Sequence, residues 1–273
     1  MPAKLGIIAG GGDLPGRLLE ACRRSGRGAY VVAIQGHTDP ATVAGVEHVW
    51  IRLGAASSAL EPLRAAGVEE LVLAGRVKRP SLGELRPTLK VAQFIAKVGR
   101  RAFGDDGLLR AVIGGLEEEG FRVIGVEQVL NELLAASGAY GALLPDATAE
   151  SDIERGLAVA RALGAQDVGQ SVVVQQGVVL GVEAIEGTDG LLRRCAALRL
   201  EGPGGVLVKI SKPGQEPRAD LPTIGVGTIE AAAAAGLRGI AIEAGAALVV
   251  DREAVAAAAD AAGLFVVGLA LGE

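Results

Sequence analysis

Leu5-Gly6-Ile7-Ile8-Ala9-Gly10-Gly11-Gly12-Asp13-Leu14-Pro15-Gly16 decides the fold of this chain. A short aliphatic run with no helical spacing reads as a buried strand. Three glycines then turn the chain, and Pro15 suits the first turn of a helix, where no backbone N–H is needed. A strand, a glycine turn and a helix extending to about residue 25 open a parallel α/β sheet.

The same order recurs along the chain. Strands are expected over 29–34, 47–53 (edge-like), 70–74 and 122–126, with helices over 56–66 and 105–119 between them. Strands alternating with helical stretches of this length predict a doubly wound, Rossmann-like domain over residues 1–136. Residues 137–150 lose periodicity and gather Gly, Pro and Asp, so they are read as a linker. Residues 151–273 read as a mixed α/β domain. Ser151-Asp152-Ile153-Glu154 has capping-box spacing for a helix to 165. A hairpin is expected over 171–184 across Gln176-Gly177, with strands over 206–210, 239–243, 247–250 and 264–267 and helices over 228–235 and 252–262.

Composition narrows the function. The chain has 273 residues, 50% of them hydrophobic and 3% aromatic, with a net charge of −5. That predicts an aliphatic core in two domains. With no basic tract it excludes nucleic acid as a partner. Cys22 and Cys195 are expected as buried thiols in a reducing, cytoplasmic setting. Two histidines without a C-x-x-C pair make a structural zinc site a poor reading. His37 and His48 are read as surface or capping residues. No apolar run reaches the roughly 20 residues of a membrane span.

The glycine turn has two readings. Its N–H groups and the helix dipole suit a phosphate at Gly11 and Gly12, yet a tight turn alone also favours glycine. The second strand ends in Ile34-Gln35-Gly36, without the acid that would hold an adenosine ribose. Gly75-Arg76-Val77-Lys78-Arg79-Pro80 follows a strand end, so Arg79 and its neighbours either meet a diphosphate or form a solvated loop. Asp105 and Asp106 read first as helix caps.

Charged residues concentrate between Glu183 and Thr228. Glu186-Gly187-Thr188-Asp189 lets two carboxylates and a hydroxyl face one point, as a magnesium site with phosphate oxygens asks. Alternatively Asp189 caps a helix and pairs with Arg193. Lys209 ends a strand, Lys212-Pro213-Gly214-Gln215 forms a turn, and Arg218-Ala219-Asp220 can place both charges on one side of extended chain. An acid in such a segment, followed by Leu221-Pro222, is neither a cap nor a helix-face residue, and is read as functional.

In this order, L-G-I-I-A-G-G-G-D-L-P, G-R-V-K-R-P, G-D-D-G-L-L, D-V-G-Q, E-G-T-D-x-x-L-x-R, K-P-G-Q-E-x-R-x-D-L-P-T-I-G and A-D-x-x-G-L-F-V-x-G resemble the LpxI-type UDP-2,3-diacylglucosamine pyrophosphatases. Glu216 stands where that family more often has Asp, and Arg86-Pro87 lacks an acid common there. The resemblance implies a Mg2+-dependent enzyme of lipid A biosynthesis, cytoplasmic and peripheral at the inner membrane. It would split the UDP-linked diacylated glucosamine lipid into UMP and 2,3-diacylglucosamine 1-phosphate (lipid X), water attacking the β-phosphorus. Asp220 occupies the position of the family's essential aspartate. On that reading Asp220, Glu186 and Asp189 hold the metal. Gln170, Thr188, Arg193, Lys209, Lys212, Gln215 and Arg218 hold substrate, with Gly11, Gly12 and Arg79 on the uridine side. Rival readings are an NAD(P)-dependent oxidoreductase and a non-catalytic UDP-lipid binder. A homodimer is among the assemblies left open.

Overall fold

The computed structural model describes residues 3–77, 105–218 and 220–271. Arg79, Lys78 and Gly104 therefore lie outside the described residues. The chain forms two compact units, one of residues up to 131 together with 216–220, the other of residues 132–215 and 221–273.

The first unit begins as its sequence predicts. Strand β1 (Lys4–Ala9) leads through the glycine turn into helix α1 (Leu14–Ser25), then β2 (Ala29–Ile34) and β3 (His48–Ile51). Helix α2 (Leu60–Ala65), β4 (Val68–Ala74), α3 (Asp105–Glu118) and β5 (Arg122–Ile124) follow. The sheet runs β3-β2-β1-β4-β5 with parallel pairings throughout, the expected doubly wound sheet. Its core packs Val32, Ile51, Leu63, Leu71, Ile113, Phe121 and Val123. The helix expected over 56–66 differs in detail: Leu53–Ala59 is 3-10 helix and only 60–65 is α-helical. Ser58 Oγ donates to Ala55 O at 2.6 Å, a local bond of the kind that competes with helix propagation.

The second unit carries the mixed sheet. Strand β6 (Gly138–Ala139) is followed by α4 (Ala147–Ala165), the hairpin strands β7 (Ser171–Gln175) and β8 (Val178–Val182), and α5 (Gly187–Ala196). Then come β9 (Val206–Lys209), β10 (Thr223–Ile224), α6 (Val226–Ala234), β11 (Gly239–Glu243), β12 (Leu248–Val249), α7 (Arg252–Ala262) and β13 (Phe265–Leu269). The six-stranded order is β6-β13-β11-β9-β7-β8. β9, β11 and β13 are parallel, while β7 runs antiparallel to both β8 and β9.

Both faces of this sheet are covered. Val172, Val174, Val206 and Val208 pack against Ile153 and Ala160 of α4, whereas Val173, Leu207, Ile240 and Ile242 pack against Leu191, Leu192 and Ala232. Side chains alternating between two buried faces explain why Val172–Val174 of β7 and Val206–Val208 of β9 are aliphatic without alternation.

Further expectations are corrected. The stretch 137–150 contains β6 and the start of α4, so it is not wholly irregular. Helix α4 begins at Ala147 instead of after Ser151, because Asp146 accepts from Ala149 N at 2.9 Å and caps the helix one turn earlier. Asp152, expected within a capping box, is instead 1% exposed. Its carboxylate accepts from Gln176 N at 3.0 Å and Gly177 N at 2.6 Å. Both hairpin-turn residues have positive φ, the geometry that a two-residue hairpin loop requires. The strand expected over 247–250 shortens to β12, which pairs with β10 in a separate parallel ribbon.

Candidate active site

The glycine turn in the first unit is closed by backbone alone. Gly10 N donates to Ala74 O at 2.8 Å and Gly11 N to Arg76 O at 2.8 Å, while Arg76 N returns a bond to Gly11 O at 2.8 Å. A Cβ on Gly10 would lie 2.6 Å from Arg76 O, and one on Gly75 would lie 2.6 Å from Gly11 O. These glycines are required because two loops pass at backbone contact. The Gly11 N–H, read from the sequence as a phosphate donor, is spent inside the protein. Gly12, with φ +90°, instead lies on a cleft of about 460 Å³ lined by Asp13, Gly16, Arg17, Glu20, Asp39 and Thr42. Three acids against one arginine suit hydroxyl donors better than a phosphate. Asp39 is a lining residue the sequence reading missed. It follows the end of β2 by five positions, beyond the strand-end place where a ribose acid is sought.

Residues 216–220 cluster with the first unit although they interrupt the second in sequence. Arg218 anchors them. Its Nε and Nη2 donate to Glu216 Oε1 at 2.8 Å and Oε2 at 3.0 Å, and Nη1 to Glu117 Oε1 at 2.6 Å and Val123 O at 3.5 Å. The side-chain bond from Arg218 holds the Glu216 carboxyl below the usual range, and Glu216 raises Arg218. Asp220 is exposed, and its N–H reaches Glu216 O at 3.4 Å.

In the second unit, four predicted or adjacent polar residues meet at the end of β9. Lys209 is 6% exposed and Glu183 7%. Lys209 Nζ donates to Thr188 Oγ1 at 2.8 Å, and Thr188 Oγ1 donates to Glu183 Oε1 at 3.2 Å. Ser171 Oγ lies 3.4 Å from Thr188 Oγ1. Among the described residues, Glu183 Oε2 and the Oε1 of Gln170, the residue before β7, are buried without a hydrogen-bond partner. Backbone register explains the convergence: Ser171 pairs with Lys209 across β7 and β9, and Glu183 N bonds Ser171 O at 2.8 Å. The structure thus brings Thr188 and Lys209 together and adds Glu183, which stands in the charged stretch of the sequence but has no motif of its own.

Other predicted residues are engaged locally. Lys212 Nζ bonds Asp167 Oδ1 at 2.6 Å, and Gln215 Oε1 accepts from Lys212 N at 2.9 Å, closing the turn. Glu186 Oε1 accepts from Arg194 Nη2 at 2.6 Å. Its own backbone N–H and Arg194 hold its carboxyl below the ordinary value. Asp189 lies in the first turn of α5 and Arg193 in the last, both exposed.

Among the described residues no three His, Cys, Asp or Glu side chains gather as a metal cage. Mg2+ is commonly bound by one or two carboxylates together with substrate phosphates. A single exposed carboxylate such as Asp220 fits that mode. Glu186, already held by Arg194, fits it poorly.

Comparison with known proteins resolves the family. Residues 4–133 match the LpxI N-terminal domain and residues 136–267 the LpxI C-terminal domain. The chain belongs to the LpxI family. It is 45% identical to the UDP-2,3-diacylglucosamine pyrophosphatase LpxI of Caulobacter vibrioides, over 97% of each chain. The LpxI match spans the glycine turn, the buried Lys209–Thr188–Glu183 cluster and the Asp220 segment alike. It bears out the resemblance drawn from the ordered blocks.

Proposed function

We propose that this chain hydrolyses UDP-2,3-diacylglucosamine to UMP and 2,3-diacylglucosamine 1-phosphate in lipid A biosynthesis. The observation that carries this reading is the 45% identity to a UDP-2,3-diacylglucosamine pyrophosphatase across 97% of the chain. Water attacks the β-phosphorus, the bond to the bridging oxygen breaks, and UMP leaves with that oxygen. Asp220 orients the water or accepts its proton. Its exposed position on an irregular segment suits that role.

Mg2+, when bound with the diphosphate, supplies neutralisation of the phosphate oxygens. Asp220 would hold it. Lys209, Thr188 and Gln170 hold polar parts of the substrate. The acid-lined cleft beside Gly12 takes the uridine side through the hydroxyls of the ribose, with Asp39 and Asp13 as acceptors. Among the described residues no helix is long and apolar enough to cross a membrane. Peripheral association with the inner-membrane face, where a diacylated substrate resides, is part of the same proposal.

Incubation of the purified chain with UDP-2,3-diacylglucosamine and Mg2+, with and without chelator, tests the reading. UMP release that stops with chelator is the expected result. Tight binding without turnover favours the UDP-lipid binder, and reduction of NAD(P)+ in place of UMP release favours the oxidoreductase.

A further inference from the structure

Arg218 is a cation beside the proposed catalytic acid, and by residue type alone it belongs to the diphosphate. Its surroundings assign it differently. A guanidinium has five N–H groups, and in Arg218 four of them already have protein acceptors: two on Glu216, one on Glu117 and one on the carbonyl of Val123. Two carboxylates neutralise its single charge, so an anionic substrate oxygen would meet a guanidinium already paired fork to fork with Glu216. Glu117 stands on α3 and Val123 on β5, so two regular elements of the first unit hold one side chain. Two peptide units further on lies Asp220, whose Cα can sit no more than about 7 Å from that of Arg218. The chain then continues to Pro222, whose carbonyl accepts from Leu248 N at 2.7 Å.

We propose that Arg218 is a positioning residue: clamped by Glu216 and Glu117, it fixes the 216–220 segment so that Asp220 is presented to the reacting phosphate, and it does not itself bind the diphosphate. The clamp accounts for why a five-residue excursion of the second half clusters with the first unit. It also gives Glu117, which no motif marked, a part in turnover. The inference rests on the reading of Asp220 given above.

The test is steady-state hydrolysis of UDP-2,3-diacylglucosamine by Arg218→Lys, Glu117→Gln and the double variant, with Asp220→Ala in parallel. Lysine keeps the charge and loses the fork, and glutamine keeps an acceptor oxygen, so a folded protein is expected from each. A positioning role lowers kcat about 10- to 100-fold in each single variant while KM moves less than about threefold. The double variant is then little worse than the worse single, because both break one clamp. The proposal is overturned if Arg218→Lys raises KM at unchanged kcat, or if Glu117→Gln turns over like the wild type while Asp220→Ala is inactive. An active Asp220→Ala would instead remove the reading of Asp220 itself, and the clamp's purpose with it.

Discussion

The ends of parallel strands in the two units solve the same geometric problem with different materials. In the first unit, the turn after β1 meets the turn after β4 through backbone bonds and glycine contacts, with Gly10 and Gly75 at distances no Cβ tolerates. In the second, the end of β9 meets the start of α5 through side chains, with a buried lysine, a threonine and a buried glutamate in series. One end is specified by the absence of side chains, the other by their chemistry. A charge-neutral substitution should therefore be tolerated differently at each.

The largest expected effect is at the side-chain end. Lys209→Met leaves Glu183 buried without the cation that Thr188 relays to it. A buried carboxylate left without the cation linked to it through Thr188 costs about 3–5 kcal/mol, read as a lowered denaturant midpoint at unchanged slope. A midpoint equal to wild type would show that the cluster does not depend on its charge. At the backbone end, Gly75→Ala combines a φ of +92° with a Cβ 2.6 Å from Gly11 O, and about 2–4 kcal/mol is expected from strain and overpacking. Gly12→Ala has a φ of +90° but nothing within 4 Å of its added Cβ, so about 1 kcal/mol is expected. Equal losses at 75 and 12 would mean that conformation alone, and not loop contact, selects glycine here.

The two ends also differ in how far the sequence disclosed them. The strand–glycine–helix opening and the strand-helix alternation were legible because period and turn chemistry are local. The doubly wound sheet and the mixed second unit follow from them. The use of the Gly11 N–H was not legible, since its acceptor Arg76 O lies 65 residues away and only the sheet order brings β4 beside β1. Thr188 and Lys209 were selected from residue type, but Lys209 meets Thr188 and Glu183 only through the combined β8–β7–β9 register. Asp146 out-competes Ser151 as a cap because its carboxylate reaches a free N–H one turn earlier, and both spacings look alike in sequence. The Arg218 clamp depends on Glu117, a hundred residues upstream, and Lys212 is drawn to Asp167 in the same non-local way.

The smallest effect extends the comparison to the clamp. The Glu216 carboxyl is held below its ordinary value of 4.5 chiefly by its bond to Arg218. Its contribution to stability is present above that ordinary value and is lost as pH falls through the lower folded value. Melting temperatures from about pH 6 down to about pH 3 should fall less steeply in Glu216→Gln than in the wild type. Parallel slopes would mean that Glu216 gains nothing from Arg218.

Asp220 is proposed to drive water onto the β-phosphorus of UDP-2,3-diacylglucosamine. Hydrolysis in 18O-labelled water by wild type and Asp220→Ala tests it most directly. Label is expected in 2,3-diacylglucosamine 1-phosphate and not in UMP, with turnover by Asp220→Ala lower by about 10²- to 10⁴-fold while substrate still binds. Label in UMP, or near-normal turnover without the Asp220 carboxylate, would contradict it.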